Sequence, residues 1–359
     1  VSAPRVYLVS PTHLGLKRLL GGGERYVEEL ARALSKHARV KLVSFGPGRS
    51  RETPSPGYER VILESWSRSP LSPFSPWLFR ELRGADVIHC FQYFVLPTFL
   101  AAAYGRARRR RVFVSDLGGG GWTPGYHVDQ SRWITAHLPI SQYAARALPG
   151  RRTAYEVIYG GVDAARYPMR PAACHDGSVV FLGRILPHKG IHHLVDAVRP
   201  ETPLHVVGPA LDNAYLAELR RRAAGKSVRF HHGLSDAEVV ELLQRALALV
   251  HPTPVDAAGS PGANELLGLA PIEAMACGCP VVATAVGPLP EVVADGESGL
   301  LVPPNDPQAI RDALDRLRAD EALWAALSRG ARERAVTRFT WERVAAHCLE
   351  IYGRPAEKW

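Results

Sequence analysis

ELLGLAPIEAMACGCPVVAT, residues 265–284, sets Glu265 and Glu273 on either side of a Gly-Leu-Ala turn, with seven residues between the two carboxylates. Pro271 follows the turn, and a short helical run is expected over 272–277. Gly278 and Pro280 stop it, and 281–284 reads as a buried strand. Proline at the first helical position and glycine just past the end is the usual polarity of helix punctuation. Glu273 is thereby placed in the first turn, and the free N–H groups of the helix start face Gly268, Leu269 and Ala270. A helix start reached through a glycine turn is a ready anion site. Two carboxylates beside an anion repel it, unless they accept hydrogen bonds from hydroxyl groups at either end. A phosphate between two polyols meets these demands, which describes a nucleotide-diphosphate sugar.

Around this stretch the second half keeps a strand–helix rhythm. Strands are expected at 178–182, 204–207, 227–230 and 247–250, and helices at 191–198, 212–223 and 235–246. Gly183, Arg184, Lys189 and Gly190 lie in the loop after the first of these strands. An α/β segment continues to about 318, and helices are expected at 321–335 and 341–352. The first half opens in the same way. A strand at 6–9 leads through Gly21-Gly22-Gly23 into a helix at 24–35 and a strand at 40–45. Strand, Gly-rich loop, helix and strand form a Rossmann-like unit, with the loop at the strand end where ligands bind. GxGxxG is absent from it, so a dinucleotide cofactor is not indicated.

Residues 46–76, rich in Pro, Ser and Arg, read as an irregular excursion, with Trp66, Phe74 and Trp77 in or beside it as either an acceptor-cleft lining or a tether. Strands follow at 86–90 and 112–114 with an apolar helix at 94–104 between them, and a further strand is expected at 155–159. The strand at 112–114 ends in Ser115-Asp116, then Leu117 and the glycines 118–121, a loop suited to close ligand approach. A Pro-containing break at 166–176 separates a first domain, 1–168, from a second, 177–340. Two βα runs so joined imply two doubly wound, Rossmann-like α/β domains facing across a cleft.

At 359 residues the chain is long for one domain and comfortable for two. The net charge of +9 is lopsided: residues 1–168 carry +12 and residues 169–359 carry −3. A basic first half is expected to meet something anionic. The run RARRRR at 106–111 makes an anionic membrane surface or a phosphorylated lipid-linked acceptor one reading, and a solvated face the other. The first residues hold too short an apolar run for a signal peptide, and no stretch approaches the ~20 apolar residues of a membrane span. The five cysteines (90, 174, 277, 279, 348) form no CxxC pair and fit a reducing cytoplasm. A cytoplasmic protein, soluble or peripheral on the inner membrane face, is the expectation. No metal-ligand cluster and no Asp-x-Asp is present, so no metal is expected.

With these motifs in order, the sequence resembles the family-4 retaining glycosyltransferases of the GT-B fold over nearly its whole length. The resemblance rests on Gly21-Gly22-Gly23-Glu24, Val157-Ile158-Tyr159-Gly160-Gly161-Val162-Asp163, Gly183-Arg184 with Lys189-Gly190, the pair Glu265 and Glu273, and Gly299-Leu300-Leu301-Val302-Pro303. It implies that Arg184 and Lys189 hold the donor's diphosphate, that Glu273 takes the ribose hydroxyls, and that Glu265 contacts the transferred sugar beside the amides of Gly268, Leu269 and Ala270. Gly22 lets the first domain's backbone approach the phosphate, and Leu234 after Gly233 packs on the base. The C-terminal helix, 341–359, is implied to cross back onto the first domain.

The sequence departs from the family at Ser115-Asp116, where many members have His-Asp. Asp116 is expected to orient the acceptor hydroxyl, with Ser115, Gly118 and His127 on the acceptor side. The implied reaction moves a hexosyl group from a UDP- or GDP-sugar to a hydroxyl of a glycan, lipid-linked or small-molecule acceptor, as in cell-envelope polysaccharide synthesis. The nucleotide sugar is a substrate, and no cofactor is implied. The rivals are a GT-B nucleotide-sugar epimerase or phosphorylase and a nucleic-acid-binding protein. The last lacks recognisable modules and aromatic platforms, so nucleic acid is not an expected partner.

Overall fold

Short, largely apolar runs (Val-Val-Phe-Leu, Leu-His-Val-Val, Val-Val-Ala-Thr) suit strands covered on both faces, which favours parallel sheets flanked by helices. Two such sheets form. The computed structural model describes residues 3–11, 21–67, 69, 72–118, 128–146, 148, 154–169, 175–256 and 265–355. They divide into a first unit, Val1–Gly160 with Trp341–Trp359, and a second, Gly161–Thr340.

In the first unit the elements run β1 (Arg5–Val9), α1 (Gly22–Ser35), β2 (Arg39–Gly46), β3 (Ser50–Ser55), β4 (Tyr58–Glu64), α2 (Leu78–Glu81), β5 (Val87–Phe91), α3 (Leu96–Ala107), β6 (Arg111–Ser115), β7 (Ala136–His137) and α4 (Gln142–Ala145). Their sheet has the order β3-β4-β2-β1-β5-β6-β7. β3 is antiparallel to β4, and the other neighbours are parallel.

The expected irregular excursion at 46–76 is therefore corrected, because its first part is a hairpin. Tyr58, Val61 and Leu63 of β4 are buried, while β3 is a charged edge strand that tolerates Pro54 at a register shift between Glu52 and Ser55. The strand expected at 155–159 is also corrected. Only a bridge between Tyr155 and His137 forms, with Ile158 N–H on the Pro139 carbonyl. Pro139 has no N–H to extend a ladder.

The second unit runs β8 (Val179–Leu182), α5 (Ile191–Ala197), β9 (Leu204–Val207), α6 (Asn213–Arg222), β10 (Val228–His231), α7 (Asp236–Arg245), β11 (Ala248–His251), α8 (Leu269–Ala276), β12 (Val281–Thr284), α9 (Leu289–Val292), β13 (Gly299–Val302), α10 (Pro307–Ala319) and α11 (Glu321–Arg338). Its sheet is parallel throughout, in the order β10-β9-β8-β11-β12-β13. Pro271 through Ala276 of α8 are all buried, Glu273 among them, so this helix is enclosed around its axis and leans on α11, where Ser328 Oγ donates to the Gly278 carbonyl at 2.6 Å.

α12 (Trp341–Gly353) belongs to the first unit. There Trp341 meets Tyr26 of α1 edge-on, with ring centroids 5.1 Å apart. The boundary falls at 160/161 rather than in the Pro-containing stretch, because Val162 N–H bonds the Phe339 carbonyl and Arg332 bonds the Tyr167 carbonyl.

Candidate active site

In an open α/β sheet, ligands bind beyond the carboxyl ends of the strands, where the strand order reverses. In the second unit that point lies between β8 and β11. Gly183-Arg184 follows β8, and His251 is the last residue of β11. Lys189 closes a short 3-10 turn, Pro187–Lys189, just before α5. Gly190 fixes that turn against the end of β11. Its φ is +66°, and a Cβ there would lie 2.0 Å from the Pro252 carbonyl oxygen. Only glycine allows this approach.

The turn carries Lys189 to Glu265: Lys189 Nζ donates to Glu265 Oε2 at 2.6 Å. His251 Nε2 reaches the same oxygen at 2.9 Å. Burial alone would raise the Glu265 carboxyl, but the charges and hydrogen bonds of Lys189 and His251 outweigh it and hold it well below the usual carboxylate range. Arg184 is exposed and has no ion pair among the described residues. Its charge is felt at His188, the neighbour of Lys189. Burial lowers the His188 imidazole most, Lys189 and Arg184 lower it further, and Glu265 acts the other way.

The helix start is corrected in one respect. α8 begins at Leu269 with Gly268 as its N-cap (φ +89°), so Pro271 is the third helical residue, not the first, and Glu273 lies in the second turn. The physical consequence is favourable to an anion site. Proline sits where its missing N–H is no loss, and the amides of Gly268, Leu269 and Ala270 are those without a partner within the helix. Glu273 is 7% exposed, a buried polar residue rather than a solvated one. Leu234, three residues past β10 and partly buried, stands at the same carboxyl edge of the sheet beside the open Gly233.

In the first unit the order reverses between β1 and β5. Asp116 follows β6, next along the sheet from β5, and its Oδ1 accepts from Gly118 N–H at 3.0 Å. Burial raises its carboxyl, and the amides of Gly118 and Tyr93 partly offset this. Gly22 is the first residue of α1 and is exposed, and a Cβ on Gly23 would touch Leu117 at 3.8 Å, so the start of α1 borders the loop after β6. Sequence reasoning missed Gln92. It adopts φ 69° at the end of β5 and donates through Nε2 to the Gly118 carbonyl at 3.0 Å. A non-glycine residue held there costs ~1–3 kcal/mol and tends to mark a functional site. His251 was also missed, although its place as the polar end of an apolar strand was a usable signal.

Ser115 does not face an acceptor; this is a correction. It is fully buried and donates to the Leu138 carbonyl at 2.6 Å. Its one proton spent, Oγ accepts from His89 Nε2 at 2.8 Å, and His89 Nδ1 then accepts from the Tyr352 hydroxyl at 2.7 Å. The chain Tyr352–His89–Ser115–Leu138 thus ties α12 to β5 and β6 with a neutral imidazole. Burial lowers His89 to about 3 and His137 to about 4. In the unfolded chain both titrate near 6.5. Stability is therefore full above about pH 6.5 and falls as the pH drops, because the unfolded chain takes up protons that the folded chain refuses. The expected loss at pH 5 is roughly 2 kcal/mol for each histidine. Urea midpoints at pH 7.5 and pH 5 measure it, and His89→Phe should shrink the difference. An unchanged difference would mean that His89 is not held neutral.

Some sequence candidates are not gathered here. His127 lies outside the described residues. Arg106 and Arg108–Arg110 are exposed at the amino end of β6, the sheet edge opposite Asp116, and Arg111 is committed to the Arg354 carbonyl at 2.9 Å. Trp66 pairs its backbone with Phe74, which favours the tether reading. Trp77 lies under the Arg49 guanidinium, 4.2 Å from its ring, and lines a cavity of about 330 Å³ with Val61, Leu63 and Arg80. Among the described residues, no group of three or more His, Cys, Asp or Glu is placed to hold a metal ion, and no helix is long and apolar enough to cross a membrane.

Residues 175–334 match the family described as Glycosyl transferases group 1, and residues 20–166 match Glycosyltransferase Family 4. The chain is 37% identical over 186 residues to a D-inositol 3-phosphate glycosyltransferase of Jonesia denitrificans, covering 49% of this chain and 42% of that protein. The chain thus spans less than half the length of that relative. It is 31% identical over 273 residues to an alpha-maltose-1-phosphate synthase of Mycobacterium tuberculosis, covering 66% of this chain and 68% of that protein. A sucrose-phosphate synthase from Thermosynechococcus elongatus has the same fold, with a TM-score of 0.76, 23% identity and coverage of 97% and 98%. The chain belongs to the family-4 glycosyltransferases of the GT-B fold.

Proposed function

We propose that the chain transfers a hexosyl group from a UDP- or GDP-sugar to an acceptor hydroxyl, with retention at the anomeric carbon and without a metal ion. The observation that supports this reading is the ion pair of Lys189 with Glu265 beyond the carboxyl ends of β8 and β11, in a chain segment that runs on into the start of α8; Arg184 and the amides of 268–270 are assigned to the same site. That unit binds the donor. Arg184 and Lys189 take the diphosphate, Glu265 a hydroxyl of the sugar and Glu273 the ribose.

As the bond from the anomeric carbon to the diphosphate oxygen breaks, negative charge grows on the leaving group, and fixed cations stabilise that state more than the ground state. The acceptor oxygen bonds to the same face of the carbon. Its proton passes to the departing phosphate oxygen, so no separate general base is required. The first unit binds the acceptor, with Asp116 orienting the hydroxyl. The relatives' names pair glycosyl transfer or synthesis with phosphorylated sugars and polyols, and acceptors of that kind are the first to try. An anionic surface as partner for the exposed Arg106–Arg110 run belongs to the same proposal.

Thermal denaturation with a panel of nucleoside diphosphates and nucleotide sugars tests the reading. A matching diphosphate at 100 times its Kd should stabilise the fold by ~2.7 kcal/mol. Arg184→Ala should lose most of that shift. If no member of the panel moves the wild-type transition, the reading fails.

A further inference from the structure

Lys189 and His251 both hold one oxygen of Glu265, at 2.6 and 2.9 Å. Under the proposed function these three groups cannot all stay as they are. Lys189 must turn to the donor diphosphate, and Glu265 must stay ionised and aimed at the sugar. A largely buried carboxylate that loses its cation is unstable and free to swing. Lys189 has a flexible four-carbon stem at the end of a surface turn and can move.

His251 cannot follow it. It is 3% exposed, ends a central strand of the sheet, and lies nearly parallel to the Phe181 ring, 13° from coplanar at 6.4 Å. The next residue, Pro252, is locked against Gly190. Its Nδ1 is buried with no hydrogen-bond partner among the described residues, so Glu265 is the one polar anchor those residues give the ring. An unsatisfied buried nitrogen is a cost that an apolar ring of the same shape would avoid. Glu265 Oε1 makes no hydrogen bond to the described residues, which leaves it for the substrate.

We propose that His251 is a positioning residue: it retains Glu265 Oε2 when Lys189 passes to the diphosphate, so that Oε1 keeps its aim at the sugar hydroxyl. This rests on the reading of Glu265 and Lys189 given above. His251 acts on the sugar through Glu265 and touches neither the diphosphate nor the base.

The test compares His251→Phe, His251→Asn and His251→Gln for UDP affinity by calorimetry and for turnover of UDP-glucose, read as released UDP. The GDP pair replaces these if the wild-type chain binds GDP instead. Gln can place an amide N–H where Nε2 lies, and Asn cannot reach. The expected result is a 30- to 100-fold loss of kcat in Phe and Asn, at least tenfold recovery in Gln, and UDP affinity within twofold of wild type in all three. Wild-type kcat in Asn or Phe would overturn the inference and leave the function reading standing. Equal loss in Gln and Asn, or a loss of UDP affinity matching that of kcat, would also overturn it, since either marks a general packing role. If the wild-type chain binds no nucleoside diphosphate, both readings fall. Should Phe fail to fold, the Gln and Asn pair decides alone.

Discussion

Glu265→Ala is expected to reduce glycosyl transfer by at least 10²–10³-fold and, unlike most active-site truncations, to destabilise the fold as well. The sequence alone suggests that Glu265→Ala and Arg184→Ala both remove activity and leave the fold intact. The structure separates them. Glu265 is the ion partner of Lys189, and each side chain is only 11% exposed. Removing one member of such a pair strands the other charge, at a cost of ~3 kcal/mol. Arg184 is exposed and unpaired among the described residues, so its removal should change stability by less than about 0.5 kcal/mol. The double variant Lys189→Met/Glu265→Leu should recover the part of the loss that comes from the unpaired Lys189 charge while remaining inactive, and the remainder should persist because His251 Nε2 is left without its acceptor. Urea midpoints and turnover, measured on all three, give the answer. Wild-type stability in Glu265→Ala would show that Lys189 is free to reach solvent.

Gly190→Ala should be a severely damaging single methyl group in the second unit's site. The backbone at φ +66° costs an L-residue ~1–2 kcal/mol, and the new Cβ would fall 2.0 Å from the Pro252 carbonyl oxygen, which cannot yield without moving the end of β11. A loss above ~3 kcal/mol is expected, with affinity for the nucleoside diphosphate falling as Lys189 and His251 separate. Gly225→Ala is the control. Its φ is +76°, but open space surrounds it, so only the backbone cost of ~1 kcal/mol should remain. Equal destabilisation by the two would mean that the clash at Gly190 is relieved by a small loop shift.

The parts of this fold legible in the sequence are those where one local signal suffices. β9 and β12 fall on the residues that their apolar runs mark, because a strand covered on both faces has no competing periodicity. α8 was legible as a helix but not in its start: proline is tolerated anywhere in the first turn, and a left-handed Gly268 could not be inferred from its neighbours. The hairpin of β3 and β4 was hidden by prolines and arginines that a solvent-edge strand accepts and a central one would not. At the site, glutamate spacing and the Gly-Arg and Lys-Gly pairs named the residues, but not how they meet. That Lys189 and His251 share one oxygen of Glu265 depends on bringing together Lys189 and Glu265, 76 residues apart in the chain, and no local pattern encodes it. Ser115 was misread for the complementary reason. Its nearness to Asp116 was visible, whereas its partners, His89 and Tyr352, come from elsewhere in the fold.

The assignment of Trp341–Gly353 to the first unit has a bearing on the order of synthesis. Tyr26 and His89 are made early, but Trp341 and Tyr352, which complete their surroundings, are made only after the whole second unit. A nascent chain can finish the second unit's core while the first still lacks one wall. Until residue 352 leaves the ribosome, the buried imidazole of His89 has no hydroxyl to accept from, and the groove beside α1 is open. The half of the molecule that is translated first is thus the half that folds to completion last, and premature termination within α12 should leave a polypeptide with a sound second unit and an unfinished first one.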